Sequence, residues 1–328
     1  MDPNIKLALS KAEKFKVLII GDTIIDEYVF VNPKGRATKD PILSVDYVSK
    51  ERYAGGALAI ANHLSEFVKE INLITILGKK KPDETFVKSH LNSNINPKFI
   101  YKNAGVTTIK RRYIDEIRNE KLFKVEYITD NPLIPEEIEQ VLQMIKQKAP
   151  MADIIFVADF GHGFINKPII QEIEKYSEKL CLNVQSNSAN LGFNYITKYN
   201  SASFLSLDQK ELQLCLQERF EDNEKLIKQL CEIRDFNSVL LTLGKKGNKI
   251  FKSGVFYDDC ARAEKVKDAV GAGDAVFAIA GLLNHTGLNP KSIAYAGNCA
   301  GAIAANIMGN KENIKKQELI EFMERHPI

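Results

Sequence analysis

The sequence predicts an α/β protein whose central sheet is mostly parallel and is covered by helices on both faces. Short apolar runs rich in β-branched residues alternate with amphipathic segments along most of the chain. Each run ends in a glycine, an aspartate or another polar residue, and parallel sheets of this kind bind ligands beyond the carboxyl ends of their strands. Hydrophobic residues make up 45% of the 328 residues, which is enough for a large core.

The predicted strands and helices follow one another in chain order. Pro135 followed by two acids is typical of a helix start, and Asp208 is predicted to cap the helix after its strand. The first strand is expected to stop at Gly21, and the second is closed by Gly78. The predicted strands are 16–20, 71–77, 154–158, 181–184, 204–207 and 238–243, and the predicted helices are 57–68, 135–148, 167–179, 274–284 and 291–308.

Two segments, 27–53 and 99–128, break this pattern because apolar and charged residues alternate in them. A period of two is typical of half-exposed antiparallel strands. We expect the two segments to form one small sheet that projects from the main sheet as a lid. The sequence shows no internal repeat and no Pro/Ser-rich linker, so residues 1–328 are predicted to form a single domain with this discontinuous lid.

Composition excludes several classes of protein. Lys and Arg number 45 against 42 for Asp and Glu, and this net charge of +3 is spread along the chain, which argues against a nucleic-acid partner. The 5 cysteines are widely spaced and form no CxxC pair, so neither a disulfide framework nor a zinc site is expected. No apolar run reaches the ~18 residues of a membrane span, and the N-terminus lacks a signal-peptide pattern. We therefore expect a cytoplasmic protein with no membrane partner.

The sharpest functional signal is the stretch DAVGAGD at 268–274. A glycine-rich turn directly before a helix leaves backbone N–H groups free at the positive end of the helix dipole, and such a turn binds phosphate. A carboxylate at that place would repel an anion, but Asp274 fits if it accepts the proton of a hydroxyl that attacks phosphorus. The alternative is a glycine-rich turn in which Asp274 only caps the helix.

Four motifs in this order resemble the PfkB/ribokinase family of carbohydrate kinases. They are the GDTIID strand end at 21–26, the helix start at Gly55 and Gly56, the T-x-G-x-x-G stretch at 242–247 and DAVGAGD at 268–274. The match extends over roughly 15–309. It implies a ribokinase-like three-layer α/β/α fold with a substrate-covering lid. It also implies transfer of a phosphoryl group from ATP with Mg²⁺, and a monovalent cation such as K⁺ in many relatives.

The resemblance assigns the transfer site. Asp274 matches the family's catalytic base. The N–H groups of Ala272, Gly273 and Asp274 match its anion hole, and Gly271 of the same motif is assigned to the catalytic site with them.

The resemblance also assigns the two ligand sites. Asp26 matches the acid that binds sugar hydroxyls, and Gly55 and Gly56 match the turn that lets the sugar approach the backbone. Asn298 lies where the family has its adenine pocket, with a buried helix-contact amide as the alternative. The residues that match the ATP side are Thr242, Gly244, Gly247, Asp268 and Asn298.

Three positions depart from the family pattern. The N-x-x-E motif linked to Mg²⁺ appears here as Asp208 and Glu211, and an aspartate can hold a hydrated magnesium ion as an asparagine can. The alternative is that Asp208 only caps its helix. Ala269 replaces a threonine of the signature, and Ala59 replaces a sugar-side asparagine, which bears on sugar selectivity.

Within the family, the chain looks most like the kinase domains that phosphorylate D-glycero-D-manno-heptose 7-phosphate on O1 for lipopolysaccharide or capsule precursors. The supporting stretches begin at Gly21, Glu51, Thr107 and Val157. The last one contains Asp159, a candidate for substrate binding, and His162 where a lysine is common.

A phosphate already on the sugar has candidate partners in the lid. Lys110 and Arg112 share one face of an extended strand, whereas Arg111 faces the other way, so the first two could clamp a phosphate. The alternative is a solvated strand of mixed charge. A polar loop at 187–190 follows the strand at 181–184, and an ordinary Asn/Ser turn is its alternative reading.

Other functions stay open at this point. Another kinase of the family, acting on a free sugar or nucleoside, would not need Lys110 and Arg112. A catalytically silent binding protein would have little use for Asp274, and a Rossmann dehydrogenase would need GxGxxG where GDTIID stands.

No HxGH motif of the family's nucleotidyltransferase domain occurs, so a kinase alone is expected unless the chain is a fragment. Exposed edges of lid strands favour a homodimer through the lids.

Overall fold

The computed structural model describes residues 2–103, 105–263 and 266–328, and it confirms the α/β class. The strands are β1 Lys16–Arg36, β2 Leu43–Gly56, β3 Glu70–Gly78, β4 Ile95–Lys102, β5 Thr108–Asp115, β6 Glu120–Tyr127, β7 Ile154–Asp159, β8 Leu180–Val184, β9 Ser201–Ala202, β10 Phe204–Asp208, β11 Asp235–Phe236, β12 Ser238–Thr242, β13 Asn248–Lys252 and β14 Val255–Asp259. The helices are α1 Pro3–Ala12, α2 Ala57–Ser65, α3 Glu84–Ser89, α4 Pro135–Lys148, α5 Lys167–Ile173, α6 Gln209–Leu216, α7 Asn223–Ile233, α8 Ala272–His285, α9 Pro290–Ala305 and α10 Lys316–Arg325.

The main sheet has the strand order β14-β13-β12-β10-β8-β7-β1-β3-β4. Pairing is parallel from β12 to β4, whereas β13 and β14 are antiparallel. The order is not sequential, so helices cross over both faces as parallel strands require. The prediction of a mostly parallel sheet is confirmed.

Alternate residues of β1 show how the two helical layers form. Val17 and Ile19 pack into one apolar core with α1, α2, α8, α9 and α10, whereas Leu18 and Ile20 pack into a second core with α4, α5, α6 and α7. Successive side chains of a strand point to opposite faces, so a strand buried on both sides is apolar at every position. That is why the run KVLII could be recognised without any alternation.

The expected end of the first strand at Gly21 is wrong. β1 continues through Gly21 to Arg36 and leaves the main sheet to become the first strand of the lid. A Cβ on Gly21 would lie 2.5 Å from the carbonyl oxygen of Ala158. The glycine therefore marks a close approach of β7 to β1, which sequence alone does not distinguish from a chain break.

The lid is built by the upper half of β1, β2, β5 and β6. β1 pairs with β2 antiparallel and β5 pairs with β6 antiparallel, but β1 pairs with β5 parallel, so the lid is not purely antiparallel as expected. Of the predicted segment 99–128, residues up to Lys102 belong to β4 in the main sheet. Because the same strand crosses from the main sheet into the lid, the lid is a continuation of that sheet.

Several helix boundaries differ from the predicted ones. α2 ends at Ser65, α5 ends at Ile173 and continues as a 3₁₀ turn over Glu174–Lys179, and α9 ends at Ala305. The cap at Asp208 is confirmed, since its carboxylate accepts the Glu211 N–H at 2.7 Å and the Glu211 carboxylate accepts the Asp208 N–H at 2.8 Å. Across the described residues, we find no helix with the length and apolarity needed to span a bilayer.

Candidate active site

Asp274 lies in the first turn of α8, under the lid. The turn before it is held by Gly271, whose φ of +86° is left-handed, and the Ala275 N–H closes the first helical bond to the Gly271 carbonyl at 3.0 Å. A Cβ added to Gly273 would meet nothing within 4 Å, so the turn faces open space there. An open turn at a helix N-terminus can present its N–H groups to an anion.

The surroundings of Asp274 raise the pKa of its carboxyl group toward neutral pH. Only 8% of the residue is exposed. Burial first, and then the negative charge of Asp26, raise the pKa of Asp274 to about 7, while a hydrogen bond from Gln185 and the charge of Lys110 act in the opposite direction. A group with a pKa near the working pH is well suited to act as a general base.

Asp26 faces the same space from β1. Its carboxylate accepts a hydrogen bond from Arg112 on β5, and Asn310 donates to it at 3.4 Å. A Cβ on Gly55 would lie 2.2 Å from Asp26 Oδ2, so only glycine fits at that position. Asp26 and Gly55 are therefore brought together as the predicted sugar site requires. The structure also brings Gly56 beside β1, with a φ of +60°.

Lys110 and Arg112 lie on the predicted common face of β5. Both act electrostatically with Asp26, whereas Arg111 pairs with Glu27 on the other face of the lid. Lys110 is 8% exposed, and its ammonium lies 5.7 Å from the Phe160 ring centre. Within the described residues it makes no ion pair. Burial lowers the pKa of Lys110, and the charges of Asp26 and Glu126 oppose that effect.

Besides the contact of Asp26 with Asn310, two further contacts of the lid with the rest of the protein involve residues singled out in the sequence. The first is Asp268, which is 3% exposed and accepts hydrogen bonds from Tyr28 and Lys121 of the lid and from the N–H groups of Val270 and Gly309, each of these two at 3.0 Å. Burial alone would raise the pKa of Asp268, but the bonds from Lys121 and Tyr28 hold it below its ordinary value. The predicted ATP-side role of Asp268 stays a prediction, because its hydrogen bonds here are with the lid, with its own turn and with Gly309.

The second contact of the lid is polar and lies at the loop 187–190. Lys124 donates to the Ser188 hydroxyl at 2.9 Å, and that hydroxyl donates to Glu126 at 2.9 Å. Asn187 and Asn190 donate from their side chains to the Phe160 carbonyl at 2.8 and 2.7 Å. The loop therefore joins the lid to the end of β7.

Asp159 is held in a buried network and is 1% exposed. Tyr199 donates to its carboxylate at 2.8 Å, Lys198 pairs with it at 2.5 Å, and the Gly161 N–H donates at 3.1 Å. Direct substrate binding by Asp159 therefore stays a prediction. In this structure its carboxylate binds protein groups and holds the surrounding loops in place. His162, 3% exposed, has no hydrogen-bond partner for either ring nitrogen in the described parts of the chain, and burial and Lys110 lower its pKa to about 4.

The predicted nucleotide side is spread over three elements. Gly244 follows β12 with a φ of +57° and open space around it, and the Thr242 hydroxyl donates to the Leu207 carbonyl at 3.4 Å. Gly247 is needed for packing, because a Cβ there would lie 2.0 Å from the Asp259 carbonyl oxygen. Asn298 donates to that same carbonyl at 2.8 Å, which matches the alternative of a helix-contact amide.

The predicted magnesium residues form the capping box of α6. Both Glu211 oxygens accept backbone N–H groups, from Asp208 at 2.8 Å and from Ser186 at 3.0 Å. Burial first, and then the charge of Asp208, raise the pKa of Glu211. Asp208 is exposed and uses one carboxylate oxygen for the cap, so the other fits a hydrated Mg²⁺ ion. Across the described residues no group of three or more His, Cys, Asp or Glu side chains is arranged to hold a metal ion.

Two site residues were missed by the sequence reasoning. Asn310 contacts Asp26, and its Oδ1 would lie 2.1 Å from a Cβ on Gly271, so it joins Asp26 to the glycine-rich turn before α8. No pattern around it indicates this. Gln185 donates to Asp274 at 2.9 Å and directly follows β8. Its position at a strand end was the available signal.

An acid at a glycine-rich helix N-terminus, enclosed by a β lid above a parallel sheet, is the arrangement of a small-molecule phosphotransferase. Comparison with known proteins agrees. The pattern of the pfkB family carbohydrate kinases matches residues 14–317. The chain belongs to this family, and it is a phosphotransferase that acts on a sugar alcohol group.

The curated relatives and solved structures support the same assignment. The bifunctional protein HldE of Desulfatibacillum aliphaticivorans is 24% identical over 320 residues, covering 95% of this chain and 64% of that protein. The HldE protein of Helicobacter pylori strain G27 is 23% identical over 316 residues, covering 95% and 67%. The chain thus spans about two thirds of the length of these relatives.

Two solved structures have the same ribokinase-like fold. Phosphofructokinase-2 from Escherichia coli in complex with potassium superposes with a TM-score of 0.72 at 15% identity, covering 95% of this chain and 98% of that one. Arabidopsis thaliana ribokinase complexed with ribose and ATP gives 0.69 at 14% identity, with 95% and 99% covered. At this identity the likeness shows the fold.

The lid bond at Asp268 predicts a change in local opening. Replacing Lys121 with Met should speed amide exchange in β5 and β6 about two- to fivefold, because a partly exposed ion pair stabilises its segment by roughly 0.4–1 kcal/mol. Hydrogen–deuterium exchange measures this. Lys225→Met, which removes an exposed pair with Glu221 in α7, is the control. Equal exchange of the lid strands in both variants would show that Lys121 does not hold the lid.

Proposed function

We propose that the chain transfers the γ-phosphoryl group of Mg-ATP to a hydroxyl of a sugar that already carries a phosphate, with O1 of a heptose 7-phosphate as the preferred acceptor. The described chain then works as one kinase unit of which the lid is a part. The family membership supports the reaction class, and the substrate is argued from the lid residues.

Lys110 is the observation that carries the phosphate. A buried ammonium is costly unless an anion compensates it, and no carboxylate lies within ion-pair distance of Lys110 among the described residues. The space it faces is the one that Asp26 and Asp274 share. A substrate phosphate would supply the missing anion, whereas a free sugar would leave Lys110 without one.

Arg112 couples the sugar and phosphate ends of the site. It is paired with Asp26 in this structure. Arg112 can therefore join Lys110 in binding a phosphate only if it bonds the phosphate and Asp26 together or releases Asp26 in favour of the phosphate. A guanidinium has several donors in a plane and can serve two anions at once. The pairing also supports a second candidate, a kinase of a free sugar, because it occupies Arg112 and leaves only one of the two predicted clamp residues unpaired among the described residues.

The chemistry needs a base, an anion-binding turn and exclusion of water. Asp274 accepts the hydroxyl proton as the hydroxyl oxygen attacks phosphorus, and the N–H groups of Gly273 and Asp274 stabilise the charge on the transferred group, whereas the Ala272 N–H donates to the Ala269 carbonyl at 3.4 Å in this structure. Asp26 orients the sugar through its hydroxyls. The closed lid keeps water from competing as the acceptor.

ATP supplies the phosphoryl group, and Mg²⁺ neutralises charge on its phosphates. We propose that Asp208 holds the hydrated ion through its free carboxylate oxygen and that Glu211 acts by fixing Asp208. The turn around Gly244 is the proposed nucleotide side. A requirement for K⁺ stays a prediction without an assigned site. The use of ATP and the free cysteines favour a cytoplasmic location.

The HldE relatives support heptose phosphate over other phosphorylated sugars, in agreement with the sequence resemblance. A part in lipopolysaccharide or capsule precursor synthesis is proposed on the same basis. Identities near 24% leave the choice of sugar to experiment.

Asp274→Asn is expected to abolish turnover without weakening ATP binding. The amide cannot accept the proton, and loss of a general base lowers kcat by roughly 10²- to 10⁴-fold. ADP release is measured with Mg-ATP against heptose 7-phosphate, other sugar phosphates, free hexoses, ribose and adenosine. Asp222→Asn, which keeps the cap of α7, is the control.

Each result of this panel has a defined meaning. Turnover of a phosphorylated sugar that is lost in Asp274→Asn supports the proposal. Turnover of free sugars alone contradicts the phosphate assignment and favours the second candidate. No turnover with ATP still bound contradicts the kinase proposal and favours a silent binding protein.

Lys110→Met is expected to raise KM for the sugar phosphate by about 10- to 100-fold, the value of one hydrogen bond to a charged group. The KM for ATP should stay within about twofold because Lys110 faces the sugar side. Lys50→Met is the matched control, since Lys50 lies on the outer face of the lid with Glu27 at 3.5 Å. Equal increases of the KM for the sugar phosphate in both variants would indicate a general electrostatic effect of the lid charges, and not a contact between Lys110 and the substrate phosphate.

We propose a homodimer through the outer faces of the lids. Tyr47, Phe123 and Tyr127 are 68%, 44% and 40% exposed on or beside that face, and Tyr113 stacks on Phe123 at 4.4 Å. Exposed aromatic groups of this kind are enriched at interfaces. Sedimentation at micromolar concentration should give a dimer that Phe123→Glu dissociates, and a wild-type monomer would refute it.

A further inference from the structure

The side chain of Gln185 hydrogen-bonds the carboxylate of Asp274. Its Nε2 donates to Asp274 Oδ1 at 2.9 Å and to Asn183 Oδ1 at 2.9 Å. No other side-chain hydrogen bond to this carboxylate is present in residues 2–103, 105–263 and 266–328. Asp274 Oδ2 therefore has no side-chain partner there.

The orientation of this amide follows from its neighbours. Asn183 donates through Nδ2 to the Ser206 carbonyl at 3.0 Å, so its Oδ1 can only accept from Gln185. A flipped Gln185 amide would put its oxygen against two other oxygens. The chain of bonds thus runs from β10 through Asn183 on β8 to the carboxylate on α8, with each donor and acceptor determined.

The backbone of Gln185 is held on both sides. Its N–H donates to the Asp159 carbonyl at 2.9 Å, and its carbonyl accepts from Asn194 Nδ2 at 3.1 Å. Asp159 is in turn bound through its carboxylate by Tyr199 and Lys198. The buried network around Asp159 therefore has an effect at the site, because it places the residue that contacts the base.

We propose that Gln185 is a positioning residue for the catalytic base: it binds one oxygen of Asp274, leaves Oδ2 for the acceptor hydroxyl, and favours the ionised carboxylate. The proposal rests on the function proposed above. It gives a role to Gln185, which follows β8 at a place where this sequence carries no family motif.

The electrostatic consequence has a definite sign. The groups that face Asp274 are Asp26 from β1, Lys110 from β5, Glu211 from α6 and Gln185 itself. Burial and then Asp26 raise the pKa of Asp274 to about 7, and the Gln185 bond opposes them by stabilising the charged form. Removal of that bond raises the pKa of Asp274 further. The acid limb of kcat/KM then moves to higher pH.

Gln185→Met tests this, since it keeps the length of the side chain and removes the donor. We expect the acid limb to move up by about one pH unit, with a roughly fivefold loss of kcat/KM near pH 7 that is recovered near about pH 9. The KM for ATP and for the sugar phosphate should stay within about twofold. Gln317→Met, which removes a glutamine bonded to Glu321 at 2.8 Å in α10, should change none of these values.

A second measurement does not need turnover. The ¹³C carboxyl signal of Asp274, assigned by its loss in Asp274→Asn, should titrate near pH 7 in the wild type and about one unit higher in Gln185→Met. Gln185→Ala serves if the Met variant does not fold by circular dichroism. An unmoved titration in a folded variant overturns the proposal, and so does a raised KM with an unmoved acid limb, which would make Gln185 a ligand contact.

The two proposals can fail separately. If no sugar is phosphorylated but the carboxyl titration moves as expected, the proposed function fails and the Gln185 interaction stands as a property of the site. If turnover is lost in Asp274→Asn but Gln185→Met leaves the acid limb and the titration unchanged, the function stands and the positioning role fails.

Discussion

The register of β1 is the constraint on which the site depends. Its lower half is buried between β3 and β7, and its upper half runs between β2 and β5 in the lid. Asp26 lies beyond the point where the strand changes partners. A shift of β1 by one residue would turn Asp26 to the outer face and put Glu27 inside, because strand side chains alternate. Close packing at Gly21 and Gly55 prevents such a shift.

The charged residues at the site differ in how fully they are paired. Asp26 is paired with Arg112, Glu27 is surrounded by Arg111, Lys50 and Arg52, and Lys110 is left with no ion pair among the described residues. A buried charge that is not compensated destabilises the folded state. In the proposed function a substrate phosphate compensates Lys110, so its cost in stability and its proposed affinity for an anion have the same origin.

The sequence predicted those parts of the fold that depend on local pattern. Apolar runs located the main strands, and Asp208 was recognised as a cap because its chemistry involves neighbours in sequence. Gly21 was misread because a glycine at a chain break and one at a close strand contact look the same. Residues 99–102, the end of the strand Ile95–Lys102, were assigned to the lid because alternation does not reveal which sheet a strand joins.

Prediction of the site was limited in the same way. The 268–274 motif carries its own geometry, so the turn before α8 followed from it, and anion binding by that turn stays a prediction. Asp159 at a strand end and Asp268 in the glycine-rich motif were both read as candidates for ligand binding, yet both are occupied by protein donors. Asn310 and Gln185 act through partners more than 80 residues away in sequence, and such pairings are set by tertiary packing alone.

The carboxylate of Asp268 has a consequence beyond attachment of the lid. It binds Tyr28 and Lys121 of the lid and also the Val270 N–H in the turn that leads into α8. Lid position and turn geometry therefore share one group and are thermodynamically linked. Such coupling is reciprocal. If lid closure raises the affinity of the turn for an anion by some factor, an anion bound at the turn favours lid closure by the same factor. The two substrates would then bind cooperatively, with one carboxylate between their sites carrying the coupling.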